Sequence, residues 1–324
     1  MIELGYALSS EEHSPQALVR NAQRAEAAGF SFALISDHYH PWISAQGHSP
    51  FVWSVIGGIA QATTTLRLGT GVTCPTVRIH PAIIAQAAAT SAVMMDGRFF
   101  LGVGTGENLN EHILGDRWPP HDIRLAWLEE SIEIMRLLWS GENISYWGET
   151  YTVEDAQLFT VPDTPPAIMV AASGPIMADA AGALGDGLIS TSPDEELIQQ
   201  FYESGGEGRP SYGMLTVCWA ETEAEAERTV HEIWPNSGLT GELTQELRTV
   251  AHFEQAVKMV SREDAVKHIA CGPDPQKHLD AIQKFVDAGF DHVYVHQIGR
   301  DQGGFIEFYQ RRILPEFTQE KERS

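Results

Sequence analysis

Phe30-Ser31-Phe32-Ala33-Leu34-Ile35-Ser36-Asp37-His38-Tyr39-His40-Pro41-Trp42 runs from an apolar segment into a loop dense in reactive side chains. The first six residues read as a buried strand, and Pro41 ends any regular structure. One aspartate, two histidines and a tryptophan then arrive within the six residues from Asp37 to Trp42. Strand ends that open into loops are where α/β enzymes place their chemistry. A carboxylate beside an imidazole sets its tautomer and holds it as a base or acid near neutral pH. A nearby indole walls off a flat ligand. The competing reading is a loop-capping Asp37 with surface histidines.

Outward from this stretch the same strand–loop–helix unit recurs. Residues 2–8 alternate as a first strand. Ser14 and Pro15 open a helix as N-cap and N1, and Gly29 stops it. A helix over 51–63, a strand over 66–73, a helix from His80-Pro81 to Met95 and a strand over 99–103 follow. The spacing then predicts a helix over 124–139 and a hairpin or irregular insertion over 141–167. Further strands fall at 167–171, 187–190, 211–220 and 292–297. Thr191-Ser192 reads as a helix cap, residues 221–270 as mostly helical, 275–288 as a helix and 305–317 as the last helix. Eight strands alternating with helices predict an α/β fold, a (β/α)8 TIM barrel with insertions after several strands, in one domain over 1–324.

Composition narrows the function. The chain has 324 residues, 43% hydrophobic and 20% charged, which is globular. No apolar run is long enough to span a bilayer, and the start reads directly as a strand with no signal peptide, so the expected place is the cytoplasm. Cys74, Cys218 and Cys271 show no metal-binding spacing and fit reduced thiols; no metal is expected. Lysine and arginine total 21 against 44 acidic residues, a formal charge of −23, and every lysine lies beyond residue 250. Such an acidic surface excludes nucleic acid and anionic membranes as partners and leaves a small molecule. It also repels itself at low salt, which predicts a salt-adapted, halophilic protein. The plainer reading is an ordinary acidic enzyme.

The second informative stretch is Phe99-Phe100-Leu101-Gly102-Val103-Gly104-Thr105-Gly106-Glu107-Asn108-Leu109-Asn110-Glu111, another buried strand running into a glycine-rich loop. SDHYHPW at 36–42, LGTGVT at 68–73 and GVGTGENLNE at 102–111 together resemble the F420-dependent oxidoreductases of the luciferase-like superfamily. The resemblance is nearest to the glucose-6-phosphate dehydrogenase and secondary-alcohol dehydrogenase group. It implies coenzyme F420, a TIM barrel, a homodimer and hydride transfer from an alcohol or sugar hydroxyl carbon to the deazaflavin. By resemblance His38 is the base, Glu107 the proton donor to the cofactor and Trp42 the group that stabilises the intermediate. Asp37 orients His38 or contacts the cofactor. Gly71 and Val72 form a bulge with a cis peptide behind the ring, and Gly106 and Asn110 belong to the cofactor loop. Ala171, Ala172, Ser173 and Gly174 hold the coenzyme phosphate at a helix N-terminus, where free N–H groups suit an anion. The structural alternatives are a helix-capping Glu107, a core Trp42, an ordinary bulge and a tight turn. An FMN-dependent monooxygenase on the same fold, and a cofactor-free interaction or storage protein, are the competing functions.

The resemblance weakens at the substrate. Thr191 matches the family's substrate segment, but Pro193-Asp194-Glu195-Glu196 follows where a phosphate-binding cation is expected. Arg248 and His268, beside Lys267, are the remaining matches. An uncharged alcohol or sugar is therefore expected to react better than glucose-6-phosphate.

Overall fold

The computed structural model describes residues 2–318. Its strands are β1 (Glu3–Leu8), β2 (Phe32–Ile35), β3 (Arg67–Thr70), β4 (Phe99–Val103), β5 (Ile144–Trp147), β6 (Thr152–Ala156), β7 (Ile168–Ala171), β8 (Gly187–Ser190), β9 (Ser211–Cys218), β10 (Ala270–Cys271) and β11 (His292–Gln297). Eight of them close into a parallel ring, β1-β2-β3-β4-β7-β8-β9-β11 and back to β1. Helices separate consecutive ring strands, the βαβ arrangement of a TIM barrel. β5 and β6 form an antiparallel hairpin outside the ring, and β10 adds to the end of β9. No helix among the described residues is long and apolar enough to cross a membrane.

The barrel is packed by alternation. Ala7, Phe32, Leu34, Phe100, Met169, Ile189, Tyr212 and Tyr294 point inward and fill the lumen. Their chain neighbours, such as Tyr6, Ala33, Leu101 and Val293, point outward under the helices. Glycine makes room for the large rings. A Cβ on Gly5 would lie 2.3 Å from the Phe32 ring, and one on Gly69 2.2 Å from the Phe100 ring. Local chemistry sets the helix boundaries: the Ser14 side chain accepts from the Ala17 N–H, Pro15 stands at N1, and Gly29 ends the helix with φ 101°.

Several boundaries differ from expectation for identifiable reasons. The strand expected over 66–73 ends at Thr70, and the Gly71–Val72 peptide beyond it is cis. A bridge between Thr73 and Val103 resumes the pairing beyond it. Thr191-Ser192 is not the cap of the next helix. Asp194 is, with its carboxylate accepting from the N–H groups of Glu196 and Leu197. The last helix is two, Gln302–Arg312 and Leu314–Thr318, since Pro315 has no N–H with which to continue the ladder. β10 is too short to leave a periodic trace in the sequence.

Candidate active site

The site is assembled from the loops that leave β1, β2 and β4. Beyond β1 the chain turns at once, and Ser9, Ser10, Glu11, Glu12 and His13 are all buried. Two hydroxyls fix the Glu11 carboxylate: Ser36 Oγ donates to Oε2 at 2.7 Å and Ser9 Oγ at 3.0 Å. Burial alone would raise its pKa. The facing His38 and the two serines outweigh that and hold it below the usual carboxylate range.

His38 lies between two carboxylates. Its Nδ1 is 3.3 Å from Glu11 Oε1 and its Nε2 is 3.3 Å from Glu107 Oε2. Nδ1 is also 3.3 Å from the His40 carbonyl. An ionised carboxylate and a carbonyl are both acceptors only, so Nδ1 carries a proton and the neutral ring keeps its lone pair at Nε2. Burial disfavours the imidazolium, yet Glu11 and Glu107 together outweigh it and raise the His38 pKa. Trp42 meets His38 edge to face at 4.9 Å and leans on Phe253 at 5.1 Å. Through Phe253, Leu239, Leu247, Val250 and Val257, the helical insertion before β10 closes over this wall.

Glu107 occupies the N-cap position of the helix Asn108–Glu111, but its side chain makes no capping bond. It reaches His38 instead and accepts from Asn110 Nδ2 at 3.0 Å. Asn110 Oδ1 accepts from the Tyr39 and His40 N–H groups at 2.9 and 3.1 Å, so one amide ties the His38 loop to the Glu107 loop. Desolvation raises the Glu107 pKa, His38 opposing and Glu11 reinforcing it. Its side chain keeps 30% exposure, which describes a group enclosed by protein but facing an opening. Gly106 has φ 82°, and a Cβ there would lie 2.6 Å from Cys74 Sγ, so this loop requires glycine.

Asp37 does not hold His38. It accepts from Thr73 Oγ1 at 2.8 Å and pairs with Arg78 Nη2 at 3.0 Å. The Arg78 N–H donates to Glu111 at 2.8 Å. The side chains of Asp37, Arg78 and Glu111, all buried, thus join the ends of β2, β3 and β4. Burial pushes Glu111 up to about 7, against the pull of Arg78. Val72 packs against the lumen cluster. Ala172 donates to the Ile189 carbonyl, whereas Gly174 caps the helix Pro175–Leu184 without a side-chain bond.

The proposed substrate residues are more scattered. Thr191 is exposed beside the end of β8. Arg248 is exposed and makes no ion pair among the described residues, though its neighbours Leu247 and Val250 pack with Trp42. His268 is exposed near β10, on the far side of the insertion in sequence. Sequence reasoning missed Glu11. Its signal is an acidic residue just past the first strand, the position the barrel rule marks for chemistry. Glu11→Gln should lower kcat/KM about 10–100-fold. Removing the charge lowers the His38 pKa, so the acid limb of the pH profile should move to lower pH; an unmoved limb would rule out this pairing.

Residues 1–292 match the luciferase-like monooxygenase family. A protein of Tsukamurella paurometabola named F420-dependent glucose-6-phosphate dehydrogenase is 36% identical over 327 residues, covering 97% of each chain. One of the same name from Mycobacterium avium is 35% identical over 329 residues, again 97% of each. A solved F420-dependent secondary alcohol dehydrogenase, in complex with an F420-acetone adduct, superposes with a TM-score of 0.89 at 26% identity, over 96% of this chain and 98% of that one. A long-chain alkane monooxygenase shares the fold at TM-score 0.74 and 14% identity.

Proposed function

The chain belongs to the luciferase-like monooxygenase family, and from that premise we propose that it is a coenzyme F420-dependent dehydrogenase acting on an alcohol or sugar hydroxyl carbon. The observation that carries the reading is the Glu11–His38–Glu107 array, a base and an acid in contact beyond the ends of β2 and β4. His38 Nε2 takes the hydroxyl proton of the substrate, and Glu11 holds the ring and balances the imidazolium. With the deazaflavin held here, Glu107 Oε2 would hold the proton that its ring requires, and Trp42 would keep water from the site. When bound, the deazaflavin supplies the hydride acceptor.

The chain's own donors fit that cofactor. The Gly71–Val72 turn presents Val72 to the lumen mouth. Pro175 needs no partner, and the first-turn N–H groups of the helix Pro175–Leu184 have no capping side chain, an arrangement suited to a phosphate. Ser173 is exposed beside them. The test is a difference-absorbance titration with F420, followed by an alcohol and sugar panel. Loss of the oxidised deazaflavin band with an alcohol is expected; no binding, with yellow flavin bound instead, would replace this reading by the monooxygenase one.

Self-association has a candidate face. The helices Val52–Ala62 and Pro81–Met94 carry no charged residue, in a chain of net charge −23. A groove of about 330 Å³ runs between them, on the outside of the barrel and away from His38, with Phe51 and Ile83 exposed. We assign this face to a homodimer, since like-charged copies meet where charge is absent. Sedimentation at high salt should give twice the chain mass, reduced to one chain mass by Ile83→Glu. The rest of the surface predicts salt dependence: the melting temperature should rise between low and molar KCl, and a flat response would end the halophilic reading. The three buried cysteines are free, which suits a reducing cytoplasm, the compartment where cell fractionation should find the protein.

A further inference from the structure

Beside the base there is a second histidine–carboxylate pair that the dehydrogenase reading leaves unused. Glu12, next to Glu11 in the chain, accepts from His296 Nε2 at 2.9 Å and from the Gly299 N–H at 2.8 Å. His296 is on β11, two residues beyond Tyr294, and therefore shares the lumen-facing side at the mouth of the barrel. Its register partner on β9 is Thr216, two residues beyond Met214, which also packs on the lumen cluster. The two side chains thus stand together on adjacent strands. Nε2 is committed to Glu12, and Nδ1 has no partner among the described residues. Thr216 Oγ1, half-buried, has none either. Trp234 meets His296 edge to face at 4.5 Å and adds an apolar wall.

An imidazole nitrogen, a hydroxyl and an indole edge form a surface that reads a hydroxyl group and the carbon bearing it. The charged groups nearest the two histidines are the carboxylates of Glu11, Glu12 and Glu107. Arg78 is engaged by Asp37 and Glu111. His13, near Glu12 and His296, is driven towards its neutral form by burial. Arg248 stands exposed at the rim. Arg300 is exposed one residue beyond Gly299, and among the described residues no lysine or arginine contacts Glu12, His296 or Thr216.

We propose that His296 and Thr216, with Glu12 behind them, bind a second hydroxyl of the substrate, so that the site takes an uncharged polyhydroxylated molecule in preference to a sugar phosphate or a simple secondary alcohol. This rests on the dehydrogenase reading above. The experiment compares glucose, glucose-6-phosphate and 2-propanol as F420 reductants at high salt, in the wild type and in Thr216→Val, His296→Phe and Glu12→Gln. Calorimetry of glucose binding without cofactor runs in parallel. In the wild type the kcat/KM for glucose should exceed both others by about tenfold, the scale of one hydrogen-bonded hydroxyl. Each substitution should shrink the glucose to 2-propanol ratio by a similar factor and weaken glucose binding in the calorimeter. A higher kcat/KM for glucose-6-phosphate or 2-propanol, or an unchanged ratio in the variants, overturns the proposal and leaves the dehydrogenase reading standing. Glucose binding that the variants weaken, with no F420 reduction by any of the three, upholds the subsite and overturns the dehydrogenase reading.

Discussion

His38→Ala should lower kcat about 10²–10⁴-fold, the range of a lost general base, while F420 affinity stays nearly unchanged. The ring makes its contacts with acceptors at Nδ1 and turns only Nε2 towards Glu107 and the mouth. Its loss therefore falls on proton transfer more than on cofactor contacts. The pH profile should change as well. The wild type needs His38 neutral, and its flanking carboxylates raise the pKa, so activity rises as pH climbs through that raised value. In the alanine variant this limb disappears. Stability has the opposite sign. A histidine whose pKa is raised on folding contributes stability below its unfolded value, and loses it as pH rises through the folded value. The variant lacks that contribution at low pH and differs less from the wild type at high pH. A kcat within about twofold of wild type would reject the base assignment.

Period and punctuation made the fold legible. Each ring strand is a short apolar run bounded by glycine, proline or a cap, and all eight appear where those signals place them. The insertions were legible only as departures from the rhythm. Nothing in the residues near Val250 announces that Phe253 will lie against Trp42. The site divides in the same way. Asp37 and His38 are neighbours in sequence, which points to a pair between them. The chain instead turns Asp37 down to Thr73 and Arg78, and His38 receives its carboxylate from residue 11, across a strand pair. Such a partnership depends on the register of β1 against β2, where Leu8 faces Ile35. Register is a property of the closed barrel, and local sequence does not carry it. Asp194 shows the same limit on a smaller scale: its carboxylate is spent on the N–H groups of its own helix, so the acidity at 194–196 acts as missing cation more than as a charge pointed at the ligand.

Glu107→Gln tests whether base and acid act as one unit. The Nε2–Oε2 separation of 3.3 Å is an ion-pair contact, close enough for the two titrations to be coupled. Such a pair titrates as a unit, and the singly protonated form divides between a proton on His38 and a proton on Glu107. The productive arrangement has His38 neutral and Glu107 protonated. Burial favours it at Glu107 by raising that pKa, whereas Glu11 favours the proton on His38. The reactive tautomer is then one partition of a single proton, and activity should describe a bell, falling at high pH as that proton leaves the pair. Glutamine keeps the shape of the acid and its bond with Asn110 but has no proton to give. Its expected effect is a fall in kcat of about 10²–10³-fold with little change in KM. Removing the carboxylate charge also lowers the His38 pKa, so the acid limb should move to lower pH and the basic limb should vanish. If KM alone changes, Glu107 is a substrate contact and the proton comes from elsewhere. If the basic limb survives, the proton lost at high pH belongs to another group, and His38 and Glu107 work independently.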